Sequence, residues 1–433
     1  MVKNYSYFIL LALIYLNYST QHNCGIEKAK QLRGDRKPEI FNEEELDSNK
    51  RNLQTFESIR ISVDYTNVDS STTVTADYKA NSKKVIENAV NLIRKMFKVN
   101  RLTSILKISR CDIGTDFTIK DEYKIVGVNA DLLIFVVLDN DDAGRTEAWA
   151  LSCANEGRTG RPVVGVTGIG VKAVKYDKEN WLEYYTYLFM HEIFHVLGFN
   201  EDLFGDYYNP VTKSKIPLSD ILLSDSNVNG LSRKLIKSPK ALEAAKKHYN
   251  CNTLKGIELE NQGGTGTAGS HWESRTMLGE LMMGISYDEV YLSEITCAFF
   301  EDMGWYQVDC YTGGLFKFGY GMGCDFINTP CLSNQKTKFP GYFCDKDRQS
   351  LCMTADRSKG VCKVETQDGS ELTDLQKNSQ YQYFGNSSTG GYFHADFCPV
   401  SQGLTSNSYL FPGECTIGRK GQLPSAMNEV MSE

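Results

Sequence analysis

The sequence predicts an α+β fold followed by a disulfide-rich C-terminal domain, and three observations predict it. Two runs, Ala130–Leu138 and Arg161–Val166, are apolar and β-branched over the length of a strand. One stretch, Glu179–Leu197, keeps its apolar residues at helical spacing throughout. Eight of the thirteen cysteines crowd between Cys310 and Cys415, a region rich in glycine and aromatics with few helical periods. At 433 residues the chain has room for two or three domains, since domains usually run ~100–200 residues.

At the N-terminus, Lys3 precedes an apolar stretch from Tyr7 to Leu16, and polar residues follow to Thr20. That order predicts a signal peptide with a cleavage zone around Ser19–Gln21, and the stretch is too short for a span, which needs ~20 apolar residues. A secreted or secretory-lumen protein is expected, and thirteen cysteines fit an oxidising compartment. Glu27–Arg51 is charged and polar, as a loosely packed pro-segment would be, with the dibasic pair Lys50–Arg51 near its end. Residues Gly421–Glu433 are polar, which predicts release rather than a C-terminal anchor. The net charge of −7, with no Lys/Arg run, argues against nucleic acid as a partner.

Further along, Ile59–Val63 alternates as a strand would. Val85–Val99 predicts an amphipathic helix, with Val85, Ala89, Leu92, Ile93 and Met96 on one face. The helix over Glu179–Leu197 buries Trp181, Leu182, Tyr185, Leu188, Phe189, Ile193 and Val196, and Gly198 ends it. Lys240–His248 predicts another helix. Gly263–Gly269 reads as a flexible loop, because no Gly-Lys-Ser/Thr follows to make a phosphate cradle.

The chemistry lies in His191-Glu192-Ile193-Phe194-His195. Residues four apart share a helix face, so both imidazoles can reach one zinc ion. Glu192 is then placed as general base for a water made acidic by the metal. A catalytic zinc normally has three protein ligands. Four histidines remain, His22, His248, His271 and His394, and a downstream glutamate such as Glu243, Glu258 or Glu260 is the other kind of third ligand. The odd cysteine count leaves at least one thiol without an intrachain partner.

The run from His191 to Phe199, with Gly198 after the second histidine, resembles the metzincin helix. Position 201 is Glu, so the short form of that motif fails, and the long insertion before Gly269-Ser270-His271-Trp272-Glu273 is similar to the leishmanolysin family. Ala148–Cys153, Arg161–Val166 and Thr296–Tyr306 resemble further stretches of the same family. The resemblance implies a metzincin-type catalytic domain, a twisted mixed sheet with an active-site helix, and a secreted zinc endopeptidase acting on proteins and peptides. It implies His271 as third ligand of one zinc ion and Met282 as the Met-turn residue, with Met283 in its place if the register shifts by one. His22-Asn23-Cys24 is similar to the family's pro-segment motif, which implies Cys24 as the unpaired cysteine and a latent precursor in which its thiolate occupies the open zinc position.

By the same likeness, Arg161–Val166 is either a substrate-pairing edge strand or a plain core strand. The corresponding division is signal peptide 1–20, pro-segment 21–55, N-terminal catalytic subdomain 56–200, insertion with third ligand and Met-turn 201–310, and cysteine-rich domain 311–433. A monomer is expected, with association at a membrane surface left open. Asn386-Ser387-Ser388 is a glycosylation pattern. The competing reading is an inactive adhesion or binding protein that keeps the fold.

Overall fold

A computed structural model describes residues 24–42, 55–111, 117, 119–140, 146–177, 181–228, 231–262, 267–285, 287, 289–310, 316–354, 359–366, 382–385, 388–403, 405–406 and 409–410. The predicted signal peptide, the Lys50–Arg51 pair and Asn386 lie outside them. Among the described residues no helix is long and apolar enough to cross a membrane.

The described residues open with helix α1 (Ile26–Arg33) and strand β1 (Glu39–Phe41), followed by β2 (Phe56–Ser58) and β3 (Ile61–Asp64). The described part of the Glu27–Arg51 stretch, residues 27–42, is therefore not the loose segment that its composition predicts. Ile26 and Ala29 are fully buried, and Leu32 packs on the core as well. Apolar residues three apart give α1 one buried face despite its charge.

Helix α2 (Ala76–Met96) starts on Thr75, whose side chain accepts from the Tyr78 amide. It stops short of the predicted Val99. Residues Phe97–Asn100 form strand β4, paired to β2 on one side and to a distant strand on the other. Burial alternates along it, and the Phe97 ring packs edge-on against Phe194, Phe300 and Tyr306. Those contacts outweigh the local helical period.

Strands β5 (Leu132–Asp139), β6 (Ala148–Glu156) and β7 (Pro162–Gly170) complete a mixed five-stranded sheet of order β1-β6-β7-β5-β3. Only the β6–β7 pair is antiparallel. The Arg161–Val166 run thus belongs to an interior strand bonded on both sides, so the core reading holds and the edge reading fails. All of β6 and β7 is buried, as strands covered on both faces require.

Helix α3 (Trp181–Leu197) lies against β6, β7 and α2. Gly165 of β7 allows the close approach, since a Cβ there would sit 2.3 Å from a Val196 methyl. Strands β8 (Leu222–Val228) and β9 (Leu231–Ile236), helix α4 (Pro239–Tyr249) and strand β10 (Ile257–Glu258) follow, with β8-β9-β10 forming an antiparallel sheet. Helix α5 (Glu294–Asp302) packs on α4, and β11 (Tyr306–Val308) is the distant partner of β4.

Disulfides join Cys111–Cys153, Cys251–Cys324, Cys297–Cys310, Cys331–Cys398 and Cys344–Cys362. Cys352 is also disulfide-bonded. Among the described residues Cys24 is the free cysteine, and it is buried.

Candidate active site

Helix α3 sets His191 and His195 one turn apart on one face, both buried among sheet and helix side chains. Gly198, at φ 130°, turns the chain directly afterwards. A Cβ there would lie 2.9 Å from the Trp305 ring, so only glycine fits. The turn aims the Phe199 carbonyl back at His195, whose Nδ1 donates to it at 2.6 Å.

The third imidazole comes from far along the chain. The Glu260 amide donates to the His271 carbonyl at 2.9 Å, and Leu259 and Trp272 form a β-bridge. These bonds carry His271 under α3, where it is fully buried. Its Nε2 lies 3.1 Å from His195 Nε2, and His191 Nε2 lies 3.0 Å from the same atom. His271 Nδ1 donates to the Thr267 carbonyl at 2.7 Å, and His191 Nδ1 donates to the Leu281 carbonyl at 2.7 Å.

A carbonyl only accepts, so each ring carries its proton at Nδ1 and presents a bare Nε2 lone pair. Burial, then the neighbouring imidazoles His191 and His271, hold the His195 pKa well below its ordinary value, so that ring is neutral. Three lone pairs converging without a proton repel one another unless a cation lies between them. The donor set fits zinc, which binds neutral imidazole nitrogen and thiolate sulfur.

The remaining groups face the same point. Cys24 Sγ is 3.3 Å from His195 Nε2 and 3.8 and 3.9 Å from the two Glu192 oxygens. The four ligand atoms of Cys24, His191, His195 and His271 all lie within 4.8 Å of one another. Burial, then the Glu192 charge, pushes the Cys24 thiol well above its usual pKa. Glu192 is itself buried. Burial raises its carboxyl to about 7 against the opposing influence of His191, the Cys24 hydrogen bond and the Ala150 amide.

Glu243, Glu258 and Glu260 are not members of this cluster. Glu258 instead pairs with Arg233 at 2.9 Å, and Glu260 accepts from Ser274 at 3.2 Å. Met282 is fully buried, and its carbonyl accepts from the Trp272 amide at 2.9 Å. The turn carrying it is pinned by Glu280, which accepts from the amides of Met282 and Ser293 and the hydroxyls of Ser293 and Thr296. The carbonyls of Phe199, Thr267 and Leu281 and the Glu280 carboxylate are parts of the site that sequence reading did not find. Carbonyls carry no side-chain signal, and an isolated glutamate reads as a surface residue.

The family model of leishmanolysin, a peptidase family, matches residues 73–415. The chain belongs to the leishmanolysin family. Its similarity to the leishmanolysin homolog of Crithidia fasciculata is 30% identity, over 77% of this chain and 49% of that protein. With leishmanolysin of Leishmania donovani it is 31%, over 73% and 51%. With the leishmanolysin-like peptidase of Drosophila melanogaster it is 27%, over 65% and 47%. The chain spans about half the length of these curated relatives. The leishmanolysin match contains all three histidines, Glu192 and Met282, whereas Cys24 and α1 precede it.

Proposed function

We propose that this chain is a secreted zinc endopeptidase that hydrolyses peptide bonds in proteins and is made as a latent precursor. The convergence of three Nε2 lone pairs beside a buried glutamate carries the reading. His191, His195 and His271 would hold one zinc ion, and Met282, next to the Leu281 carbonyl that orients His191, would be the Met-turn residue. When bound, zinc supplies a Lewis acid for the scissile carbonyl and makes water more acidic. Glu192 takes the proton of the attacking water on its carboxylate and returns it to the leaving amine. The apolar surroundings that raise its pKa suit a carboxylate that must hold a proton in mid-reaction.

Cys24 Sγ stands among these groups and keeps out the attacking water, so the precursor is silent. Five disulfides between described residues support an oxidising compartment. An inactive adhesion protein has no need of an intact Glu192 beside oriented histidines.

Replacing Glu192→Ala in the processed protein tests the reading. Cleavage of an unfolded protein substrate should fall by about a hundredfold or more, with bound zinc unchanged. Cleavage that persists would remove Glu192 from the mechanism.

A further inference from the structure

His271 stands at the end of a line of hydrogen bonds that begins in the cysteine-rich part. Its Nδ1 donates to the Thr267 carbonyl at 2.7 Å. Thr267 is buried and closely fitted. A Cβ at Gly284 would lie 2.9 Å from the Thr267 Cβ and 3.5 Å from the His271 ring, so the absence of a side chain at 284 leaves room for both. The Thr267 hydroxyl donates to the Gln262 carbonyl, which ties the residue carrying the acceptor to Gln262.

Gln262 is in turn held at its main chain and at its side chain. Its amide donates to Glu260 Oε1 at 2.8 Å, and its Nε2 donates to Asp396 Oδ1 at 3.0 Å. Asp396 is fully buried, with its backbone in the left-handed region at φ 54°. Its neighbours Ala395 and Phe397 are fully buried as well, and Cys398 is joined to Cys331. One line thus leads from that disulfide through Asp396, Gln262 and Thr267 to a ring nitrogen of His271.

The line is a costly way merely to join two parts. Asp396 acts as a like charge on Glu258, Glu260 and Glu273, all buried with it. Its Oδ2 has no hydrogen-bond partner among the described residues. A buried carboxylate so placed costs stability, whereas apolar contacts join the same two parts without that cost. What the carboxylate supplies is direction, at the one donor of Gln262 that faces it.

We infer that Thr267, Gln262 and Asp396 are positioning residues for the metal site. They hold the acceptor that keeps the His271 proton on Nδ1, so the cysteine-rich part sets how tightly the three histidines bind a divalent ion. The inference rests on the reading that His271 is a zinc ligand.

Two measurements on the full-length chain test it, zinc affinity by competition with a chelator and the visible absorption of the cobalt-loaded protein, which reports ligand geometry. Thr267→Val keeps the shape and removes the hydroxyl. It should weaken zinc binding by about tenfold, as losing the partner of a ligating imidazole does, and should alter the cobalt spectrum. Thr267→Ser should match the parent in both. Asp396→Gly removes the carboxylate where the left-handed backbone suits glycine, and should show the same loss of about tenfold. Asp396→Asn keeps an acceptor oxygen and should stay close to the parent. Thr267→Val combined with Asp396→Gly should cost little more than either alone, because both break one line.

Parent-like affinity in both Thr267→Val and Asp396→Gly would overturn the inference. So would an equal loss in Thr267→Ser, or a loss with an unchanged cobalt spectrum, since either would make these bonds supports of the fold only. His271→Ala measured alongside separates the two ideas. Full zinc content there sinks the ligand reading and the inference with it. A zinc-poor His271→Ala beside a parent-like Thr267→Val sinks the inference alone.

Discussion

His271 shows how much of the site depends on single atoms. Its Nδ1 is tied to Thr267 and its Nε2 to the cluster, so the ring has one useful tautomer and one useful direction. Losing a ligand costs more than losing the partner that orients it, which typically lowers metal affinity about 10–100-fold. His271→Ala should therefore leave a folded chain with zinc far below one ion per molecule by metal analysis. Full zinc content in that variant would bring Glu258 or Glu260 back as ligand. His191, Glu192 and His195 were legible because four-residue spacing on a helix is a local property. His271 came through resemblance alone, since nothing near it in the sequence distinguishes a ligand from a surface histidine after a loop.

Elements are held in register by a few buried polar ties, and Asp131 is the clearest. It accepts from the Arg60 amide, Nε and Nη2 and from the Leu102 amide, joining the starts of β3 and β5 to the loop after β4. Burial by itself would raise its pKa, but the Arg60 bonds, nearby Arg161 and the Leu102 amide outweigh it and hold the carboxyl below its usual value. A carboxyl depressed in the folded state adds stability above the unfolded pKa of about 4 and loses it as pH falls through the folded value. Asp131→Asn should cost about 2 kcal/mol near neutrality. The gap between parent and variant in thermal unfolding should narrow by about pH 3; a constant gap would contradict the assignment. The strands at Ile59–Val63 and Ala130–Leu138 were readable and their pairing was not, because alternation and apolar runs are local and pairing is not.

Across the whole molecule, one apolar cluster runs from α2 and the sheet through α5 to Phe326, Phe343 and Phe397. Polar links follow the same path. Arg275 donates to the carbonyls of Phe326, Ile327 and Thr329, and Gln262 to Asp396 at 3.0 Å. The strip bearing His271 is thus packed against the cysteine-rich part, with Cys251–Cys324 as the covalent link from the end of α4. Replacing both cysteines by serine should lower the unfolding temperature by about 5 °C or more, with zinc released at lower temperature than in the parent. An unchanged melt would mean that the apolar contacts suffice without the link.

By itself the sequence determined the long helix, the placement of His191, Glu192 and His195 on it, the glycine that turns the chain after it and the presence of one cysteine too many for pairing. Each follows from local periodicity, residue chemistry or a count. Tertiary structure alone decided that residues 97–100 form a strand, that the Arg161–Val166 run is interior, that residues 24–42 are docked and that three carbonyls set the histidine tautomers. Those outcomes depend on partners far away in the chain. A short segment takes the conformation that buries its apolar atoms and pairs its backbone there, whatever its own propensity favours.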